Sequence, residues 1–134
     1  MTPILVDSNV LLDVVTGDAR WAPWSGTALA ALANESVLVI NPLIYAEVSI
    51  RFESIEAVDE VVPKSLYRRE DIPYSAAYLA GKAYLQYRRR GGKRRSLLPD
   101  FLIGAHAAVA GYRVLTRDAR RYRTYFPTLE LISP

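Results

Sequence analysis

The stretch Ile4-Leu5-Val6-Asp7-Ser8-Asn9-Val10-Leu11-Leu12 decides how this chain is read. Residues 3–6 are a short uninterrupted apolar run, the pattern of a parallel strand buried on both faces. The apolar spacing then changes to that of a helix over residues 9–15, with Ser8 as its expected cap and Gly17 as its stop. Between the two stands Asp7, an acid at the exit of a buried strand.

Three further carboxylates occupy comparable places. Glu47 interrupts Pro42-Leu43-Ile44-Tyr45-Ala46-Glu47-Val48, Asp100 precedes Phe101-Leu102-Ile103-Gly104-Ala105, and Asp118 closes Val114-Leu115-Thr116-Arg117-Asp118. Burying an isolated carboxylate costs several kcal/mol unless it is protonated, paired or bound to metal. At about 100° per residue, Glu47 falls within the arc of Leu43, Ile44, Val48 and Ile50 rather than opposite it. Asp100 shares a helical face with Ile103, Gly104, Ala107 and Gly111. Each acid also has a structural explanation: a helix cap for Asp7, a salt bridge for Glu47, helix-dipole stabilisation for Asp100 and an Asx-turn for Asp118. Their repeated placement points instead to one shared cation. With a single histidine and no cysteine, the usual zinc sites and thiolate chemistry are excluded. Oxygen ligands remain, and they favour Mg²⁺ or Mn²⁺. Asn9 and Thr116 are polar neighbours, and Thr116 is placed to donate to a nearby carboxylate or water.

Working outward, helices are expected over residues 22–34, 42–52, 55–62, 75–90 and 100–110, with a short turn of helix over 118–122. Further strands are expected over 37–40, 113–115 and 129–132. Pro23, Pro42 and Pro99 sit in first turns, Ser54 caps the helix that Pro63 stops, and Gly91-Gly92 and Gly111 end helices. This order predicts an α/β sandwich, with a small central parallel sheet flanked by helices. In such sheets ligands collect outside the carboxyl ends of strands, where Asp7 and Asp118 lie. At 134 residues the chain accommodates one domain, residues 1–134, and no second. Its 51% apolar and 23% charged content is that of a soluble globular protein. No apolar run reaches the roughly 18–20 residues of a membrane span and no signal-peptide pattern opens the chain, so a cytoplasmic location is expected.

The net charge of +3 is strongly segregated. Residues 1–87 carry 6 basic and 11 acidic side chains, whereas residues 88–123 carry 11 basic and 2 acidic ones. Arg88, Arg89, Arg90, Lys93, Arg94 and Arg95 form the densest run. A polyanionic partner would release counterions on binding such a surface, although a solvated charged loop has the same composition. His106 lies across its helix from Asp100 and is expected to be a packing or surface residue. Tyr78, Tyr84 and Tyr87 read as core and interface residues rather than base-stacking platforms, and Trp21 and Trp24 as anchors of the second helix.

Taken together, Val6-Asp7-Ser8-Asn9-Val10-Leu11-Leu12, Tyr45-Ala46-Glu47-Val48, Pro99-Asp100-Phe101-Leu102-Ile103-Gly104-Ala105-His106-Ala107 and Leu115-Thr116-Arg117-Asp118 resemble the PIN-domain ribonucleases. Arg120, Arg121, Tyr122 and Phe126-Pro127 extend the likeness, which is strongest with the VapC toxins of toxin-antitoxin modules. The resemblance implies that Asp7, Glu47, Asp100 and Asp118 form an acidic Mg²⁺ or Mn²⁺ site supported by Asn9 and Thr116. It also implies hydrolysis of structured RNA such as tRNA or rRNA to a 5′-phosphate and a 3′-hydroxyl, a homodimer, and a VapB-type antitoxin covering the site. The six basic residues before the Asp100 helix would grip the RNA backbone. Many relatives have asparagine where this chain has Pro99. Two rivals remain on the residues alone. A haloacid-dehalogenase-like phosphatase would need an aspartate where Asn9 stands, and a non-catalytic RNA-binding or protein-interaction module would have no use for the acidic set. No P-loop, GxGxxG or Ser-His-Asp pattern is present.

Overall fold

Strand β1 (Ile4–Val6) lies at the centre of the sheet, and all three of its side chains are fully buried. The computed structural model describes residues 2–93 and 98–134. From β1 the chain runs through α1 (Ser8–Thr16) and α2 (Ala22–Glu35) to β2 (Leu38–Ile40), then through α3 (Pro42–Ser49) and α4 (Ile55–Val61) to β3 (Tyr67–Arg69). Helices α5 (Tyr74–Arg89) and α6 (Leu98–Ala110) lead to β4 (Arg113–Leu115), and α7 (Arg120–Tyr125) leads to β5 (Leu131–Ile132). The five strands are parallel in the order β3-β2-β1-β4-β5, so the α/β architecture expected from the sequence is the one observed. Among the described residues no helix is long and apolar enough to cross a membrane.

This order makes β1 the switch point: the chain first builds outward through β2 and β3, then returns to the other side of β1 with β4 and β5. Parallel pairing sets Val6 opposite Leu115, and the Asp7 amide donates to the Leu115 carbonyl at 2.9 Å. The next residues, Asp7 and Thr116, therefore leave the sheet side by side. A crevice at this point is where open α/β sheets collect ligands.

Local chemistry explains the element ends. Gly17 adopts φ 64° and closes α1, a left-handed conformation that costs glycine no Cβ clash. Asn41 caps α3 by accepting from the Ile44 amide, and Ser54 caps α4 by accepting from the Ala57 amide. Ser8 departs from its expected role. It is the first residue of α1, Asp7 holds the N-cap position, and neither caps the helix through its side chain. Other boundaries move modestly: α3 ends at Ser49, α7 begins at Arg120, and β5 is two residues long. Strand β3 was not anticipated, because Tyr67-Arg68-Arg69 has only one buried side chain and reads as a polar loop. Its pairing with β2 supplies what its composition does not.

Helix α6 is held between α5 and the end of α7. Ala76, Ala80 and Ala83 give α5 a shallow buried stripe against which α6 packs. Phe101 meets Tyr84, Tyr87, Tyr125 and Phe126 at centroid distances of 5.1–6.4 Å. Tyr84 and Tyr87 are thus packing residues as expected, while Tyr78 is exposed. On the other side of the sheet centre, buried Asp13 accepts from Ser25 at 2.8 Å and from the Arg117 Nε at 2.8 Å, tying α1 to α2 and to the loop after β4.

Gly104 lets α6 lie close against the end of α7: a Cβ there would lie 2.6 Å from the buried Phe126 ring and 3.1 Å from Tyr122. Gly104→Ala is expected to destabilise the fold by about 1–3 kcal/mol through overpacking, despite alanine's better helix propensity. Urea denaturation measures this, and an unchanged or raised midpoint would show that the ring yields.

Candidate active site

Asp7 is 5% exposed, yet its carboxylate is neither a helix cap nor part of an ion pair among the described residues. Its Oδ2 accepts from Thr116 Oγ1 at 2.9 Å, Tyr122 Oη at 2.8 Å and, more weakly, Asn9 Nδ2 at 3.4 Å. Asn9 also donates to Thr116 at 3.3 Å and accepts from the Arg117 amide at 3.3 Å. Asn9 and Thr116, the two polar neighbours expected from the sequence, are thus both hydrogen-bonded to the Asp7 carboxylate. Thr116 follows β4 beside Asp7, whereas Asn9 reaches across from the first turn of α1.

Burial pushes the Asp7 carboxyl above the ordinary carboxylate range, although Tyr122 and Thr116 hold it down, and the charge of Asp100 adds to the rise. Glu47 is half-buried on α3 and accepts from Ser8 Oγ at 3.0 Å. Its carboxyl is raised by burial, and further by the charges of Asp7 and Asp100, against the Ser8 hydrogen bond. Tyr122 is held well above the usual phenol range by burial first and by Asp7 next, so its hydroxyl stays a donor. In all three groups burial is the largest cause, and the charge of neighbouring carboxylates adds to it.

Asp7, Asn9, Asp100, Asp118, Arg121 and Tyr122 line a cavity of about 40 Å³, enough for a water or a small ion. Three of the four expected acids thus meet at one cavity outside β1 and β4. Glu47 does not line it, and is joined to it through Ser8, next to Asp7. Asp118 is exposed, and the Thr116 hydroxyl accepts its backbone amide at 3.1 Å, which fixes the loop without using the carboxylate. Asp100 Oδ2 accepts from Arg121 Nη1 at 2.6 Å. Among the described residues no three acidic or histidine side chains converge closely enough to hold a metal ion. The hard-cation ligands available at this cavity are the carboxylates of Asp7, Asp100 and Asp118; Asp7 Oδ2 is already met by Thr116, Tyr122 and Asn9, and the positive charge in the lining is the Arg121 guanidinium.

Tyr122 and Arg121 were quoted in the sequence without a role. A tyrosine four residues after Asp118 carries no local sign that its hydroxyl reaches Asp7, because that contact spans 115 positions. His106 is buried as a packing residue, 1% exposed, with Asn41 Nδ2 3.1 Å from its Nδ1. Arg88, Arg89, Arg90 and Lys93 are exposed at and just beyond the end of α5, while Arg94 and Arg95 lie outside the described residues.

A parallel β3-β2-β1-β4-β5 sheet with carboxylates gathered beyond its central strands defines a class of α/β protein with an acidic pocket at the switch point. The model of the PIN domain matches residues 4–127, and the chain belongs to that family. No curated protein matches the sequence. Among solved structures, VapBC2 from Rickettsia felis bound to a DNA fragment from its promoter is similar at 16% identity and TM-score 0.73, covering 98% of each chain. VapBC-1 from nontypeable Haemophilus influenzae is similar at 13% identity and TM-score 0.73, covering 98% of this chain and 97% of that one. A toxin-antitoxin complex from Klebsiella pneumoniae is similar at 20% identity and TM-score 0.65, covering 89% of each. At these identities the likeness is one of fold.

A carboxyl whose folded pKa lies above its unfolded value costs stability at pH values above the folded pKa, and that cost is relieved as pH falls through the folded pKa toward the unfolded one. Asp7→Asn is therefore expected to raise the melting temperature at pH 7 in EDTA, with the gain over wild type shrinking on acidification. Calorimetry across pH tests this, and a lower melting temperature for the variant at pH 7 contradicts it.

Proposed function

We propose that this chain is a divalent-metal-dependent endoribonuclease, the VapC-type toxin of a toxin-antitoxin pair, cutting structured RNA such as tRNA or rRNA in the cytoplasm. The observation that carries this reading is the joint lining of one cavity by Asp7, Asp100 and Asp118 around a desolvated carboxylate at the sheet's switch point. Family membership supports nuclease chemistry, and likeness to VapBC assemblies supports an antitoxin partner. The segregated basic charge supports a polyanionic substrate. The whole of residues 1–134 is read as one PIN domain, acting as a homodimer.

Asp7 and Asp100 would hold Mg²⁺ or Mn²⁺, with Glu47 and Asp118 completing its surroundings. When bound, the ion supplies an acidified water and charge neutralisation at the scissile phosphate. Thr116, Tyr122 and Asn9 keep the Asp7 carboxylate fixed, so little reorganisation is needed as charge develops. Asp118, exposed at the cavity mouth, takes the proton of the attacking water as the P–O3′ bond breaks. The leaving 3′ oxygen takes a proton from solvent, giving a 5′-phosphate and a 3′-hydroxyl. Arg121 lies at the same mouth, where its guanidinium can turn from Asp100 to a phosphate oxygen.

Two observations favour the alternative, a non-catalytic RNA-binding or protein-interaction module: the Arg121–Asp100 pair already neutralises an acid of the set, and no three acidic or histidine side chains among the described residues converge closely enough to hold a metal ion. Metal titration separates the two readings. Calorimetry with Mn²⁺ is expected to give binding to wild type, and binding about fivefold to tenfold tighter to Arg121→Gln, which removes about 1 kcal/mol of competing pairing. Absence of binding to both proteins favours the module. Asp7→Asn and Asp100→Asn are each expected to abolish Mn²⁺-dependent RNA cleavage while circular dichroism stays that of wild type. Undiminished cleavage by both purified variants would refute the assignment.

A further inference from the structure

A cleft of about 450 Å³, lined by Tyr87, Asp118, Arg120, Arg121, Thr124 and Tyr125, opens beside the acidic cavity and shares Asp118 and Arg121 with it. Its volume is in the range of sites that take a small ligand. Helix α7 builds most of it. Arg120 and Thr124 are one turn apart and both exposed, while Arg121 and Tyr125, the next residues on, are half-buried.

The walls have a particular chemistry. Tyr125 is fixed edge-on to Phe101, with centroids 5.1 Å apart at 80°, and to Tyr87 at 6.2 Å and 74°. The Arg90 guanidinium lies 5.5 Å from the Tyr125 ring centre, bringing one of the predicted RNA-gripping residues to this cleft. Arg117 and Arg121 have acidic partners in Asp13 and Asp100, but Arg120 has none within 4 Å among the described residues. The Thr124 hydroxyl donates to the Arg120 carbonyl at 3.1 Å, which leaves its oxygen able to accept. Immobilised aromatic rings beside a cation with no acidic partner match a nucleotide in both its parts: a base with an apolar face and a phosphate with charge.

We propose that this cleft is a subsite for an unpaired nucleotide next to the scissile phosphate, its base against Tyr125 and Tyr87 and its phosphate on Arg120. The proposal rests on the nuclease reading for the words "next to the scissile phosphate" and on the cleft itself for the binding. A base within a duplex is stacked and paired, so its faces cannot reach these rings; a loop or single strand presents them. An acidic protein segment would use the cations but gain little from the ring walls, which is why the nucleotide is favoured.

Fluorescence anisotropy of a labelled, unstructured oligoribonucleotide in EDTA tests the subsite without metal or turnover. Arg120→Gln is expected to weaken binding by about fivefold and to shallow the slope of log affinity against log salt by about 0.7, the counterion release of one single-strand phosphate contact. Thr124→Trp, which fills the cleft without changing charge, is expected to weaken binding by about fivefold with the slope unchanged. Both positions are exposed, so both variants should melt with wild type. Wild-type affinity and slope in both variants would overturn the proposal. So would equal binding of a fully paired RNA of the same sequence, or displacement by polyglutamate as effective as by unlabelled RNA. A wild type that shows this binding pattern but cuts no RNA with Mn²⁺ upholds the cleft and removes the nuclease reading. RNA cleavage with unaltered KM in both variants does the opposite.

Discussion

The candidate site depends on a carboxylate being kept out of water at the end of the central strand. Asp7 cannot move away from the sheet, because the same backbone that pairs Val6 with Leu115 fixes its position. It cannot be solvated either, at 5% exposure. What holds it are hydroxyl donors from distant parts of the chain: Thr116 through the register of β4, and Tyr122 through the docking of α7 on α6. Neutral donors stabilise the ionised form without cancelling its charge. The field of Asp7 therefore remains, reaching Glu47 and raising its proton affinity as well. An arginine in place of either hydroxyl would have given an inert ion pair.

The two Arg–Asp pairs near this site differ in how buried their acids are. Asp13 is 3% exposed, accepts from both Ser25 and Arg117, and locks α1, α2 and the loop after β4 together. Removing one partner of such a pair leaves a buried charge with too little compensation, so its role is to hold structure. Asp100 is more than a third exposed, and Arg121 meets it from the cavity mouth. Water screens that pair, and its separation costs far less. Arg117 is thus fixed, whereas Arg121 on α7 is exchangeable.

A second polar chain stabilises the platform from the far edge of the sheet. Asn41 follows β2 and Glu70 follows β3, just as Asp7 follows β1, and the three form a row along the carboxyl ends of the strands. Asn41 meets His106 on α6, whose Nε2 lies 3.7 Å from Glu70 Oε1, and Glu70 in turn accepts from Tyr112 at 2.8 Å. Burial lowers the His106 pKa in spite of Glu70, so the imidazole is neutral and hydrogen-bonded rather than a charge carrier. Its effect is to fix α6, and with it the placement of Asp100.

Much of this was legible from local pattern, because buried parallel strands and capped helices write themselves into short windows of sequence. Ile4-Leu5-Val6, the prolines in first turns, Ser54 and Gly17 marked the elements. The acids at strand ends and on apolar faces marked the candidate site, and Thr116 was marked as a donor to a neighbouring carboxylate or water, but that its carboxylate is Asp7 came only from the register of β4. Strand β3 was not legible, since two of its three residues are exposed arginines and only pairing with β2 makes it a strand. Nor was the identity of the groups that hold Asp7 and Asp100. Tyr122 and Arg121 are adjacent in sequence, yet one is buried against Asp7 and the other pairs with Asp100. Which neighbour does which is set by the rotation of α7 against Gly104 and Phe126, a packing result that no local pattern encodes. Sequence alone determined the kind of fold and singled out four acids as candidates, because periodicity and the cost of burying charge are local properties. Tertiary structure alone decided which acids share a cavity and what compensates them, because those contacts join residues brought together only by strand register and helix docking.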